Sequence, residues 1–358
     1  SGATGTPINQ YLDIGFDTSF QTGAGVLTVN GVISEGGAPV NLQKRQGGAL
    51  ILMNDNTYSG STQVQQGRLV LAHLGAAGNA GSNILMNLQN DRRGDVEFRM
   101  DGAGPFIFNN NIVTSGNDGG ETRVITVGSF NGSSTNKLVQ LNGNFTIGHG
   151  GAHATDGTGS SAIVFDGSNG YQFEVLGTTN LDRSIVFRTR GALTTLTGVV
   201  AGGASNVLEK SDQGTLVLAG NNTYAGGTQV TDGYLILGHD NALGTGSSDV
   251  IFRGAPTFSQ ILASGLRTIS QNFGNTATGG TQTLGGLDAG AKSFSGNVVT
   301  TRVVNLSSVI GGDVTFSGVV SAAGGITKVG AGTVILSNAN TYTGATTVLN
   351  GTLVGQAG

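Results

Sequence analysis

Apolar residues along this 358-residue chain recur at alternate positions in short bursts, then give way to Gly, Asn, Ser and Thr. Leu50 and Leu52 flank Ile51, Leu69 and Leu71 flank Val70, Leu216 and Leu218 flank Val217, and Leu235 and Leu237 flank Ile236. A period of two is that of a strand with one face buried. Looser bursts continue the pattern at Phe145-Thr146-Ile147, Ile163-Val164-Phe165, Ile185-Val186-Phe187 and Val250-Ile251-Phe252. No stripe of period 3.6 persists, and Gly interrupts almost every short window, so helices are not expected. The chain reads as all-β.

The bursts belong to repeats. Segment 42–73, LQKRQGGALILMNDNTYSGSTQVQQGRLVLAH, matches segment 208–239, LEKSDQGTLVLAGNNTYAGGTQVTDGYLILGH, at 16 of 32 positions without a gap. A third copy occupies 326–354, ITKVGAGTVILSNANTYTGATTVLNGTLV. Lys44, Lys210 and Lys328 align, as do Tyr58, Tyr224 and Tyr342. So do Gly60, Gly226 and Gly344, and then Gly67, Gly233 and Gly351. Gly31-Val32-Ile33, Gly198-Val199-Val200 and Gly318-Val319-Val320 lead into the three copies.

Within each copy one Leu burst follows another after 19 residues, Leu50 to Leu69, Leu216 to Leu235, and Val334 (with Leu336) to Leu353. A short strand ending in Val64, Val230 or Val348 lies between them. Such spacing is one coil of a β-solenoid, with like strands stacked in parallel about 4.8 Å apart. Asn56–Gly60, Asn222–Gly226 and Asn340–Gly344 supply one corner, and Gln66-Gly67, Asp232-Gly233 and Asn350-Gly351 a second. Gly and Asn tolerate the positive φ that tight corners need. At about 20–25 residues per coil, residues 1–358 would form one continuous parallel β-helix of about 14–18 coils, a rod of about 65–85 Å. Residues 1–20, with Pro7, are the candidate N-terminal cap, whereas Gly351-Thr352-Leu353-Val354 is a core strand with no cap after it.

Composition narrows the function classes. Gly accounts for 64 of the 358 residues, far above the usual share of about 7%, yet no Gly-X-Y register or Pro richness indicates collagen. Zero Cys removes disulfide frameworks, thiolate zinc sites and Cys nucleophiles. A net charge of −4 with no basic block argues against a nucleic-acid partner. No apolar run is long enough for a transmembrane helix, and Ser1-Gly2-Ala3-Thr4-Gly5 is not a secretory leader.

The pattern Lys-x-Gly-x-Gly-Thr-Leu-x-Leu-x-Gly-x-Asn-Thr-Tyr-x-Gly-x-Thr-x-Val-x-x-Gly-x-Leu, best kept at 208–237, resembles the passenger-associated transport repeat of bacterial autotransporters. That resemblance implies a right-handed β-helix exported across the outer membrane and displayed at, or released from, the surface of a Gram-negative-type bacterium. It implies that the repeat serves secretion and folding of the passenger, not catalysis. The family's C-terminal membrane barrel has no counterpart before Gln356-Ala357-Gly358, where the solenoid pattern is still running.

Candidate chemistry is sparse. His149 and His153 with Asp156 are the densest set of metal-ligand types, but the glycines between them suit a surface loop. His73 and His239 share one repeat position, which points to a structural corner role. A polysaccharide lyase or hydrolase would need acidic and basic side chains converging on one face. The candidates are Asp91, Arg92, Arg93, Asp95, Glu97 and Asp101, and separately Asp182, Arg183, Arg188 and Arg190. Asn117–Glu121 and Gly311-Gly312-Asp313 fall short of calcium loops, there is no Gly-x-Ser-x-Gly elbow, and no cofactor is implied. The expectation is a non-enzymatic stalk, adhesin or extracellular fibre component, with self-association through coil ends and a glycan or other cell-surface ligand. The alternative is the polysaccharide enzyme; a phage tailspike would need a more apolar exterior.

Overall fold

The computed structural model describes residues 10–15, 25–87, 94–115, 122–148, 162–246 and 248–355. Among them short parallel strands alternate with turns, and there is no helix, so none is long and apolar enough to cross a membrane. Except for the strand Gln10–Gly15, the candidate cap at 1–20 lies outside these residues. The described chain divides into two compact units, one ending at Gly177 and the other beginning at Thr178.

In the first unit three parallel sheets are visited in turn. One holds Gln10–Gly15, Val40–Arg45, Thr62–Val64, Asn83–Asn87, Asn111–Ser115 and Phe145–Ile147. The second holds Val26–Val29, Ala49–Leu52, Gly67–Leu71, Gly94–Arg99, Thr122–Gly128 and Ala162–Gly167, and the third Phe106–Phe108, Leu138–Leu141 and Gln172–Val175. Successive strands step from sheet to sheet, so each circuit is a coil of a β-solenoid. Leu50 lies opposite Leu69, and Leu69 opposite Val96, all fully buried. Circuits lengthen along the chain, from the 19 residues between Leu50 and Leu69 to the 28 between Ile84 and Ile112, where the third strand is added, and the 33 between Ile112 and Phe145. Larger coils enclose more volume, and phenylalanines fill it: Phe98 packs edge-on to Phe108 at 4.6 Å and Phe165 stacks on Phe173 at 5.6 Å.

The second unit repeats the plan. Leu216, Leu235, Ile261, Leu284 and Leu306 stack directly above one another across five strands, each without exposed surface. A one-residue slip in any ladder would turn such a row to solvent. Burial of each Leu or Ile contributes about 1.5–3 kcal/mol, so register is held strongly by the column itself. Across the described chain there are about thirteen coils, just below the expected range of about 14–18, because many circuits exceed the repeat's own length.

The two copies in this unit do not use the same faces. In copy 208–239 the lysine strand Leu208–Ser211 pairs with Ile185–Thr189, and the Leu strand Thr215–Leu218 lies in the next sheet. In copy 326–354 the lysine strand Ile326–Val329 belongs to that next sheet, and Thr333–Leu336 to a further one with Gly312–Phe316. The repeat has turned by one face. It is therefore a unit of coil geometry rather than of a fixed side.

Candidate functional site

The lysine of each copy stands at an inward position, two residues after a core leucine or isoleucine, and is fully buried. Its stem runs among the core side chains and its ammonium reaches the corner beyond the strand. Lys44 Nζ donates to the carbonyls of Arg45 (2.8 Å), Gln46 (2.6 Å) and Gly47 (3.1 Å), and across to Gln66 of the next coil (3.1 Å). Lys210 Nζ donates to Ser211 (2.9 Å), Asp212 (2.6 Å) and, one coil on, Asp232 (3.0 Å). Lys328 Nζ does the same with Val329, Gly330 and Asn350. One cation thus bonds corner carbonyls of two successive coils and ties them together. Burial pulls Lys210 down to about 7 and Lys44 to about 8 from the ordinary 10.5, and lowers Lys328 as well.

The cage explains the aligned glycine that follows. Gly67, Gly233 and Gly351 have φ of +78°, +75° and +71°. A Cβ on Gly233 would lie 2.3 Å from the Asp212 carbonyl oxygen and 2.8 Å from Lys210 Nζ, and Gly67 and Gly351 face the same crowding. Lysine and glycine are two halves of one corner.

The other corner is built by Asn-Thr-Tyr. Asn222 Oδ1 accepts from Val200 N–H (2.7 Å) in the preceding coil, and its Nδ2 donates to Ala242 O (2.6 Å) in the following one. Asn56 repeats this with Ile33 and Ala76. Thr57 and Thr223 return N–H bonds to Ile33 and Val200, so the lead-in residue exchanges bonds with the corner in both directions. Tyr58 and Tyr224 are buried, with their hydroxyls on Thr62 (2.5 Å) and Thr228 (2.6 Å), and burial pushes both phenols above their ordinary range. Gly60, Gly226 and Gly344 follow where stacked backbone comes within 2.4 Å of any added Cβ. His73 and His239 each accept, through Nδ1, the N–H two residues on, at Gly75 and Asn241.

The passenger-associated-transport-repeat family matches residues 42–71, 208–237 and 326–354, the three segments that carry these corners. The chain bears the passenger repeat. It is also 29% identical, over 93% of its length, to the adhesin BmaC autotransporter of Brucella suis biovar 1 (strain 1330), of which it spans 13%. Together these findings support an autotransporter passenger domain with repeats. No solved structure matches.

Residues outside the passenger repeats reuse the same device. Lys292, buried on Gly290–Phe294, donates to the carbonyls of Asp288 (2.8 Å), Ala289 (3.0 Å) and Gly290 (3.2 Å), and pairs with the Asp288 carboxylate at 2.7 Å. It lies after its corner instead of before it, so alignment to the repeat does not find it. Thr62, Thr228 and Thr346, the partners of the tyrosines, are visible in the sequence only as the Thr of the intervening strand.

The charged clusters fall only in part among the described residues. Asp91, Arg92 and Arg93 lie outside the described residues, as do His149, His153, Asp156 and Asn117–Glu121. Glu97 is ion-paired to both Arg68 and Arg99 at 2.9 Å, along the outward face of neighbouring strands. Asp95 accepts from Val124 N–H at 3.1 Å, and Asp101 holds a loop through Ser129 and Asn131 N–H. Asp182 and Arg183 precede the strand Ile185–Thr189, while Arg190 follows it and pairs with Asp212 at 2.7 Å. Arg190 lines a cleft of about 660 Å³ formed with Leu193, Asp212, Gln213, Thr215 and Asp232.

Proposed function

We propose that this chain is part of an adhesive passenger, displayed at or released from the surface of a Gram-negative bacterium, and that it acts by presenting surface rather than by catalysis. One observation carries the reading: the side chains that recur in all three repeats are engaged in closing corners, where a catalytic set would instead face a groove. Similarity to an adhesin supports it, and so do the described charged side chains that are engaged with one another, Glu97 with Arg68 and Arg99, and Arg190 with Asp212. Amide side chains also line outward strand positions, as at Gln43 and Gln63, which bond at 3.2 Å across two coils. Such a surface suits many weak contacts, which gain strength when presented together.

Self-association belongs to the same proposal. Its support is physical: the backbone groups along the edge of an open coil pair readily with another strand, whether of a further coil or of a second chain. Expressing the chain on a non-adherent bacterium and counting cells retained on epithelial and glycan-coated surfaces tests the adhesive reading. Retention above the empty display host is expected; no retention, with release of reducing sugar from polysaccharide, would replace it with the enzyme. Sedimentation of the chain against concentration tests self-association, and a monomer at all concentrations would refute it.

A further inference from the structure

The passenger repeat at 208–239 carries the tightest corners of its stack. The corner before it takes four residues, 190–193, between the strands Ile185–Thr189 and Thr194–Leu196. The two corners of the repeat take three, 212–214, and then two, 231–232. The next, 253–257, takes five. Short corners set between long ones leave a notch, and the cleft of about 660 Å³ lies there.

Its walls are chemically mixed. Arg190 offers a half-exposed guanidinium, steadied by Asp212 at 2.7 Å. Asp232 spends one carboxylate oxygen on the N–H groups of Gly233 (3.0 Å) and Phe258 (3.3 Å), which fixes how its other oxygen points. Gln213 is exposed and adds an amide with both donor and acceptor. Behind them the Lys210 ammonium grips the backbone carbonyls of Asp212 and Asp232, so both carboxylates stand on a braced corner. Thr215 closes the floor and pairs in register with Tyr234. The Tyr234 ring meets that of Phe258 at 5.0 Å, tilted by 58°, and both are only half-buried on the outer face.

We propose that this notch is a saccharide-binding subsite for an uncharged oligosaccharide, with Gln213, Asp232 and the Arg190–Asp212 pair meeting its hydroxyls and Tyr234 carrying the apolar face of a neighbouring ring. A hydroxyl both gives and accepts hydrogen bonds, which matches a wall holding carboxylates, a guanidinium and an amide together. Two carboxylates against one guanidinium disfavour a sulfated or phosphorylated sugar. A divalent cation would have to compete with Arg190 for Asp212 and would find one Asp232 oxygen already taken by two N–H groups. Ligand sites of this kind join a few convergent polar groups to an aromatic surface.

The proposal rests on the adhesive reading and deepens it. The test titrates the intact chain with hexasaccharides of glucose, mannose and N-acetylglucosamine, a sulfated hexasaccharide, and Ca²⁺, by calorimetry. Gln213→Ala and Tyr234→Leu serve as variants, each checked for unchanged circular dichroism. Binding of at least one neutral hexasaccharide, weakened tenfold or more by both variants, is the expected result. Absence of neutral-sugar binding, binding that both variants leave intact, or a preference for the sulfated sugar or Ca²⁺ would overturn it. Surface retention of bacteria displaying both variants, measured in parallel, separates the two readings: retention that persists without neutral-sugar binding removes the notch and keeps adhesion, whereas loss in the wild-type chain removes both.

Discussion

Replacing Gly233 by Ala tests the lysine corner where sequence and geometry constrain it most. Alanine at φ +75° pays about 1–2 kcal/mol for the left-handed conformation alone. Its Cβ would also sit 2.3 Å from Asp212 O, 2.7 Å from Gly214 O and 2.8 Å from Lys210 Nζ, so the corner must open and at least one ammonium bond must lengthen. A hydrogen bond to a charged group contributes about 1.5–3 kcal/mol, which brings the expected loss to about 2.5–5 kcal/mol. Gly274→Ala is the matched control. Its backbone has ordinary φ, its Cβ would meet nothing closer than Ile251 Cγ1 at 3.8 Å, and the lower entropy of the unfolded chain favours it by about 0.4–1 kcal/mol. Peptide-resolved hydrogen exchange reads the result locally, at amides such as Tyr234 N–H, which donates to Gly214 O at 3.1 Å. Gly233→Ala should lower protection there by about a hundredfold or more, while Gly274→Ala leaves its own strand unchanged. Equal effects of the two substitutions would refute the reasoning.

Three further outcomes follow from the same geometry. Lys210 titrates near 7 in the folded chain and near 10.4 when unfolded, so between those values the unfolded state binds more protons and stability rises with pH, by at most about 1.4 kcal/mol per unit for one lysine. The urea midpoint should therefore climb from pH 6.5 to 9, and Lys210→Met should flatten the climb; a falling profile contradicts the sign. Asn222→Ala strips bonds to a coil on either side, leaving Val200 N–H and Ala242 O unpaired in the interior, and should cost about 2–4 kcal/mol in chemical denaturation, against less than 1 kcal/mol for the exposed Asn221→Ala. Tyr224→Phe should cost about 1 kcal/mol and Tyr342→Phe a few tenths, because only the first hydroxyl bond is buried; equal costs would place both tyrosines in one environment.

Much of the fold is written in alternation and spacing. The 19-residue separation of Leu216 and Leu235 is a direct statement that they stack, because a parallel ladder repeats once per circuit. Coil number is harder to read, since nothing between Gly94 and Gly177 announces that the circuit has grown to 33 residues and three strands. The candidate site is legible only in part. Lys44, Lys210 and Lys328 are conspicuous by alignment, but a lysine on a strand reads as outward-facing until a carbonyl cage is available at the strand's end. Lys292 is silent because its cage precedes it. The notch beside Arg190 is invisible for another reason: it depends on the differing lengths of stacked corners, a property of the stack and of no single segment.

Five lysines offer the most direct test of the central claim, that passenger-repeat corners are closed around buried ammonium groups. Lys44, Lys210, Lys292 and Lys328 are enclosed, whereas Lys137 is partly exposed. Residue-resolved reductive methylation of the native chain, read by mass spectrometry, should modify Lys137 promptly and leave the other four untouched until denaturant is added. Modification of Lys44 and Lys210 at the rate of Lys137 in the folded chain would contradict the cage.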